Sequence, residues 1–375
     1  MILFMLVYFG IYGSMHAYLF WKIHQVLQPE GLFLAAFTGF LLLMLNGPIL
    51  VRILERNGQI MPATVLAWIS YTWMAFLLWF WFLAVIRDLF NIGVRIAAQI
   101  APDAYRLIIH ARPALLVSLV LIALATIWGL VEARGLTVEH VTIKSGAFSS
   151  TSGPVKVAQI SDIHIGLIEG QRRLEQIVAI LEREKPDILL CTGDLIDGMT
   201  PHTNHLSKAF TRYDPPLGKF AVTGNHEFYA GLRGSLAFME EAGFTVLRGT
   251  SAQAGPLRIA GVDDPAGSRT GEASYTDEAA ALAMGNGSSF TILMKHQPDI
   301  TTRSLGQFDL QLSGHTHKGQ IFPFNFPVKL RHPYIAGLYE LDSGSRIYTS
   351  RGTGTWGPPL RLLAPAEVTI FTINP

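Results

Sequence analysis

The sequence has little cysteine and little charge. One cysteine, Cys191, among 375 residues excludes an intramolecular disulfide framework and a thiolate metal cluster. Charged residues make up 15% of the chain, against about a quarter in an ordinary soluble protein, and 50% of the residues are hydrophobic. Such hydrophobicity excludes a disordered chain. The net charge of +1 offers no overall attraction for nucleic acid, so no nucleic-acid partner is expected.

The few charges are distributed unevenly along the chain. Residues 1–136 contain 13 of the 57 charged residues, about half the density of residues 137–375. Four uncharged apolar runs account for the difference, at residues 1–21, 31–51, 63–86 and 114–131. Uncharged runs of about 18 residues or more are candidate membrane spans. We therefore predict an N-terminal α-helical transmembrane bundle of about four spans over residues 1–136. Buried core helices, or a signal peptide for the first run, are the alternatives.

Basic residues in the short loops predict the orientation of these spans. The first and third loops carry Lys22, Arg87, Arg95, Arg106 and Arg112, whereas the second loop and the start of the C-terminal region carry Arg52, Arg56 and Arg134. Cytoplasmic loops are enriched in lysine and arginine, so the larger count favours the first and third loops inside. With four spans, the C-terminal domain then lies on the outer face of the membrane. We expect an integral protein of a bacterial inner membrane, in contact with membrane lipids.

Residues 137–375 show the pattern of a layered α/β domain. Short apolar runs end in polar clusters at residues 155–160, 187–191, 219–222, 290–294 and 309–312, and residues 172–184 have apolar side chains at helical spacing. Alternating strands and helices of this kind are typical of α/β folds. A second domain is therefore predicted over residues 137–375.

The polar residues that follow these apolar runs all carry oxygen or nitrogen atoms that can bind a metal. They are Asp162, His164, Asp194, Asn225, His226, His296, His315 and His317. Loops at the carboxyl ends of strands converge at one edge of an α/β sheet, so we expect these side chains to lie close together. Oxygen and nitrogen donors without a thiolate favour Mn, Fe, Zn or Mg.

The number of donors indicates more than one metal ion. Seven of these eight donors would already exceed the four ligands of a tetrahedral zinc, and they suit two cations about 3.5–4 Å apart that share a carboxylate. Asp194 is the candidate bridge. Gly193, Gly224 and Gly314 each precede a candidate ligand and allow the backbone to turn tightly there. Surface or structural histidines would explain any one of these motifs, but the ordered set favours a metal site.

Together the motifs resemble those of the calcineurin-like metallophosphoesterases. The family pattern is present as Asp162-Ile163-His164, Gly193-Asp194, Gly224-Asn225-His226-Glu227, His296 and Gly314-His315-Thr316-His317. The resemblance covers about residues 137–375 and implies a layered β-sandwich flanked by helices. It implies one metal held by Asp162, His164, Asp194 and His317, and a second held by Asp194, Asn225, His296 and His315, with Mn favoured. Residues 294–298, 313–321 and 350–354 further resemble a membrane-attached subgroup that includes bacterial UDP-2,3-diacylglucosamine pyrophosphatases.

This resemblance implies a membrane-anchored enzyme that hydrolyses a phosphoester or pyrophosphate bond, on a substrate that is lipid-linked in one version of the hypothesis. The attacking group would be a hydroxide that bridges the metals.

His226 is predicted to stabilise the transition state or to protonate the leaving alkoxide. Glu227 is expected to orient a ligand or the loop. Arg351 is interpreted either as a phosphate-binding residue or as a structural ion pair.

The sequence is also compatible with two other functions, and it contains one unusual segment. The spans could merely localise a broad phosphodiesterase or monoesterase, or the chain could be a non-catalytic scaffold that binds metal. Residues 320–338 are rich in aromatic side chains directly after the paired histidines. Ordinary packing explains this segment, or it forms an apolar lip that meets the membrane or an acyl chain.

Overall fold

The computed structural model describes residues 2–145, 153–198, 203–283, 289–341 and 343–375. Within these residues the chain divides into two compact units. Unit 1 comprises Met1–Leu130 together with Gly357–Pro359, and unit 2 comprises Val131–Trp356 and Leu360–Pro375. The last turn of the fourth helix thus belongs to unit 2.

Residues 1–136 form long helices, as predicted. They are α1 (Ile2–Leu27), α2 (Gly31–Arg56), α3 (Ile60–Ala97) and α4 (Ala111–Arg134), with a short 3₁₀ helix at Pro102–Leu107. Of the described residues, those of α2, α3 and α4 are long and apolar enough to cross a membrane. The helix α1 has 26 residues, including His16, Lys22 and His24. Three candidate spans agree roughly with the predicted four.

Polar side chains on these helices are paired with one another. The Lys22 ammonium on α1 lies 2.5 Å from the Asp88 carboxylate on α3, and the Trp73 indole of α3 donates to His16 at 3.0 Å. Such pairing is expected where water is scarce, because an unpaired polar group is costly in hydrocarbon. These contacts link α1 to α3 within unit 1.

Unit 2 contains two six-stranded sheets. The first has the order β1-β12-β2-β3-β4-β5, with β1 at Thr137–Lys144, β2 at Val155–Ile160, β3 at Ile188–Cys191, β4 at Lys219–Ala221, β5 at Thr245–Val246 and β12 at Glu367–Asn374. The second has the order β10-β11-β9-β8-β7-β6, with β6 at Thr250–Ala254, β7 at Leu257–Gly261, β8 at Phe290–Met294, β9 at Leu310–Ser313, β10 at Gly337–Glu340 and β11 at Arg346–Thr349. The neighbours from β2 to β5, and β7, β8, β9 and β11, run parallel.

The sheets pack face to face and are flanked by helices. These are α5 (Gln171–Glu184), α6 (Asn225–Ala230), α7 (Leu232–Glu241), α8 (Gly267–Thr270), α9 (Glu278–Ala283) and α10 (Asn325–Arg331). Val157 and Leu190 of the first sheet share a buried cluster with Ile292 of the second. Ala158 points the other way, into a cluster with Leu174 of α5. Alternate residues of a strand thus pack on opposite faces of the sheet. The predicted layered β-sandwich with flanking helices is confirmed.

A buried arginine on α5 holds the end of α4, which belongs to unit 2. Arg173 on α5 is 2% exposed, and it donates to the carbonyl oxygens of Ala133 and Gly135. These carbonyls lie at a helix end and lack partners within the helix. The Arg173 Nε also lies 3.3 Å from Glu169 Oε2. One side chain therefore satisfies two carbonyls and a buried carboxylate.

We expect Arg173→Met to destabilise the folded chain by about 3–5 kcal/mol, because Glu169 would stay buried without its cation. The control is Arg183→Met on the same helix, where the arginine side chain is 63% exposed; it should change stability by less than about 0.5 kcal/mol. Thermal unfolding of the full chain in detergent measures both. Equal unfolding midpoints for the two variants would contradict this account.

Candidate metal centre

The predicted donors follow the carboxyl ends of strands in both sheets. Asp162 and His164 come after β2, Asp194 after β3, Asn225 and His226 after β4, His296 after β8, and His315 and His317 after β9. Because β2, β3 and β4 are parallel neighbours, and so are β8 and β9, their carboxyl ends lie at one edge of each sheet. The facing sheets bring these two edges together.

Three overlapping groups of donors result. They are Asp162 with His164 and His317, His164 with Asp194 and His226, and Asp194 with His296 and His315, and the ligand atoms within each group lie within 4.8 Å of one another. His164 and Asp194 each belong to two groups. The donors therefore form one continuous cluster rather than three separate ones.

Asp194 lies between the two halves of the cluster. On one side, His317 Nε2 is 3.1 Å from His164 Nε2 and 3.4 Å from Asp162 Oδ1. On the other side, His296 Nε2 is 3.2 Å from Asp194 Oδ2. That same Asp194 oxygen is 3.8 Å from His164 Nε2. It is thus within reach of both halves, as a bridging carboxylate would have to be.

Unpaired polar atoms also fit the presence of cations. Among the described residues, Asn225 Oδ1 and His164 Nδ1 are buried without a hydrogen-bond partner. Leaving such an atom unpaired costs about 1–3 kcal/mol. Asn225 lies next to His226, whose backbone N–H donates to Asp194 Oδ1 at 2.8 Å. A cation beside Asp194 would give the Asn225 oxygen a partner, so the residues present suit the metals that the resemblance implies.

The backbone at the cluster is strained. Five of the candidate ligands have φ in the left-handed region: Asp162 (53°), His164 (55°), Asp194 (52°), His315 (71°) and His317 (48°). Few residues other than glycine adopt this conformation, and each instance costs on the order of 1–3 kcal/mol. The motifs of the sequence did not predict these backbone conformations. They show that the loops are held in place by the surrounding structure.

The buried charges of the cluster compensate one another. Burial disfavours ionisation of Asp162 and Asp194, but the imidazoles of His317 and His296 outweigh it and hold the pKa of both carboxyls well below its usual value. Burial opposes protonation of His296 as well, yet Asp194 raises its pKa well above normal. Burial lowers the pKa of His315 to about 3 and of His317 to about 4. Metal ligation requires ionised carboxylates and neutral imidazoles such as these two.

Glu227 holds the loops after β3 and β4 together. Its carboxylate accepts hydrogen bonds from the backbone N–H groups of Asp194 (3.0 Å), Leu195 (2.8 Å), Ile196 (3.2 Å) and Gly224 (2.6 Å). Burial and the Asp194 charge raise the pKa of Glu227 to about 7. These contacts agree with the orienting role expected for this residue.

His226 is held by a carboxylate that the sequence analysis missed. The Nδ1 atom of His226 lies 2.7 Å from Asp197 Oδ1. Burial lowers the pKa of His226, but the charges of Asp194 and Asp197 outweigh it and raise the pKa to about 9. The available signal was the spacing, since Asp197 follows Asp194 by three residues in the same loop. A cationic His226 at the cluster is a candidate proton donor.

Two arginines near the site have different surroundings. Arg351 Nη2 lies 2.6 Å from Glu139 Oε1 and 2.7 Å from Glu367 Oε2, contacts that match the structural ion-pair interpretation. Arg361, which the sequence analysis did not single out, is fully buried, and its Nη2 lies 3.2 Å from His317 Nδ1. It therefore positions a candidate ligand from behind.

Comparison with known proteins identifies the family of the chain. Residues 155–319 match the model of the calcineurin-like phosphoesterase family. The chain is 42% identical to an uncharacterized metallophosphoesterase of Aquifex aeolicus, over 65% of this chain and 94% of that protein. It is 34% identical to an uncharacterized metallophosphoesterase of Campylobacter jejuni, over 59% of each chain. It is 29% identical to a transmembrane protein with metallophosphoesterase domain of Danio rerio, over 68% of this chain and 62% of that protein.

The chain thus spans nearly all of the first relative and about three fifths of the other two. These matches identify the family alone. The resemblance to the UDP-2,3-diacylglucosamine pyrophosphatases stays a prediction.

We expect Gly224→Ala to lower the metal content of the purified chain, because a Cβ at this position would overlap the Asp194 carboxylate. The matched control is Gly170→Ala, since no atom lies within 4 Å of the Cβ that it would add. Elemental analysis of both variants, after loading with Mn²⁺, gives the metal bound per chain. Full occupancy in Gly224→Ala would show that Asp194 does not need this close approach.

Proposed function

The chain belongs to the calcineurin-like phosphoesterases, and on that premise we propose that it is a membrane-anchored hydrolase of phosphoester or pyrophosphate bonds. The proposal rests above all on one observation, the position of Asp194 Oδ2 within reach of two groups of buried donors. Such an arrangement suits a pair of cations that share a carboxylate. The family membership supplies the reaction class.

The donors divide between two cations. One would be held by Asp162, His164, Asp194 and His317, and the other by Asp194, Asn225, His296 and His315. When bound, the two ions would lower the pKa of a water molecule and neutralise negative charge on the phosphoryl oxygens. The donor set suits Mn, Fe, Zn or Mg, and we take Mn as the first metal to assay.

His226 is the candidate catalytic residue. Its ring lies 4.7 Å from that of His164, and its Nδ1 is held by Asp197 at 2.7 Å. With Nδ1 donating to Asp197, the proton available for transfer is the one on Nε2. A pKa of about 9 populates the imidazolium at neutral pH, so His226 can stabilise developing charge or protonate the leaving alkoxide.

The N-terminal helices would localise this activity to a membrane. Three of them have the length and composition of spans, and the relative from Danio rerio is called a transmembrane protein. We propose that this membrane is a bacterial inner membrane. The basic residues of the loops favour an orientation with the catalytic domain on its outer face. A lipid-linked phosphoester is then the finer proposal for the substrate.

We expect the purified full chain to hydrolyse an aryl phosphate diester with Mn²⁺, and a chelator to abolish the turnover reversibly. Asp194→Asn should lower kcat/KM by at least about 100-fold, the order of loss that follows removal of one electrostatic stabiliser. Glu240→Gln, a change at an exposed residue, is the control. Bound metal without turnover would favour the non-catalytic scaffold. A lipid phosphoester assayed in parallel shows whether the enzyme prefers lipid or soluble substrates.

Asp197→Asn should shift the alkaline limb of the pH profile of kcat to lower pH. Removing the Asp197 charge lowers the pKa of His226 from about 9, so a general acid at this position loses its proton sooner as the pH rises. The measurement is kcat between pH 6 and pH 10 in wild type and variant. His226→Gln provides the control, since the limb should disappear there. An unchanged limb in Asp197→Asn would exclude His226 as the titrating acid.

A further inference from the structure

Exposed apolar side chains lie on two chain segments that pair with each other. The backbone N–H of Phe322 donates to Leu362 O at 3.1 Å, and that of Leu362 donates to Gln320 O at 2.9 Å. Around this pairing are five exposed side chains, Phe324 (47%), Phe326 (58%), Leu330 (90%), Trp356 (51%) and Leu363 (60%), which we call the apolar rim. A group of exposed large apolar residues is a common mark of an interaction surface.

The rim borders the metal centre at two points. His332, which follows α10, packs edge-on against His315, with ring centroids 5.2 Å apart. Trp356 lies 5.9 Å from the ring of His226. Whatever covers the rim is therefore close to the residues that would act on a substrate.

The rim also adjoins the end of a candidate span. Glu132, in the last turn of α4, accepts hydrogen bonds from the backbone N–H groups of Leu363 (3.3 Å) and Ala364 (2.8 Å). Only two residues separate Arg134, where α4 ends, from Thr137, where β1 begins. The three Cα-to-Cα steps from Arg134 to Thr137 span less than about 11 Å even when extended. Leu363 is thus held beside the point where an apolar helix of membrane-spanning length ends.

The chemistry of the segment suits a lipid surface. Phe326 and Leu330 are four residues apart on α10 and share one face of that helix. Lys329 and Arg331 on the same helix are exposed cations, which anionic headgroups attract. Trp356 adds an aromatic ring of the kind enriched at membrane interfaces.

We propose that the apolar rim docks on the bilayer that the chain's own helices cross, so that the metal centre lies at the level of the lipid headgroups. We choose the bilayer as the partner because α4, a candidate membrane span, ends beside Leu363. The contact itself does not depend on the reaction. Its consequence for substrate choice, a phosphoester presented from the membrane, rests on the proposed function.

The test places a fluorophore on the rim of the full chain in nanodiscs of phosphatidylcholine and phosphatidylglycerol. Phe326→Cys gives a single reactive site, because Cys191 is fully buried. We expect blue-shifted emission that brominated lipids quench. The control is Lys144→Cys, an exposed position seven residues along β1 from Thr137, or about 23 Å of strand, where no quenching is expected. No quenching at residue 326, or equal quenching at both positions, would overturn the proposal.

A second measurement separates docking from catalysis. Phe326→Ser combined with Leu330→Ser should raise KM for a lipid phosphoester in vesicles at least about tenfold, since burial of either side chain is worth more than that factor. Turnover of a soluble aryl phosphate diester should stay unchanged. An unchanged lipid KM would count against docking. If wild type hydrolyses neither substrate, the proposed function fails, and the quenching result alone decides the docking surface.

Discussion

Two carboxylates that are shut away from water set the main constraint on unit 2. Asp162 and Asp194 are at most 2% exposed, and an isolated buried charge costs several kcal/mol. The chain offsets this cost with backbone N–H donors at His315 and His226 and with neighbouring imidazoles. The folded state therefore needs all of these groups in place together. Cations at the same place would complete the compensation, which connects the stability of the domain to its proposed chemistry.

The loops that carry the donors are held by structure at some distance from them. Left-handed φ at five candidate ligands is unfavourable, so these conformations persist because other contacts determine them. Glu227 ties two loops by four backbone hydrogen bonds, and Arg361 supports His317 from the side away from the cluster. A rigid frame of this kind matters for hydrolysis, because catalytic groups must be in position before the substrate arrives.

The two regions of the chain have compositions that suit different solvents, and the last turn of α4 belongs to unit 2. Arg173 and Glu132 join the last turn of α4 to unit 2, so the helix end is part of the domain rather than a loose tether. The apolar rim includes Leu363, whose backbone N–H donates to Glu132 in that helix end.

Much of this protein could be predicted from local patterns. Run length and the lack of charge indicated the long apolar helices, and polar residues after apolar runs indicated which side chains would lie close together. Such signals lie within one segment and need no knowledge of its neighbours. The partners of Arg351 could not be predicted in this way: Glu139 is 212 positions away, and it comes close only because β1 pairs with β12. The positive φ values and the contact between Arg361 and His317 likewise arise from packing between distant segments. The sequence by itself determined the chemical identity of the donors, whereas the order of the strands decided which atoms face each other, because that order depends on the whole chain.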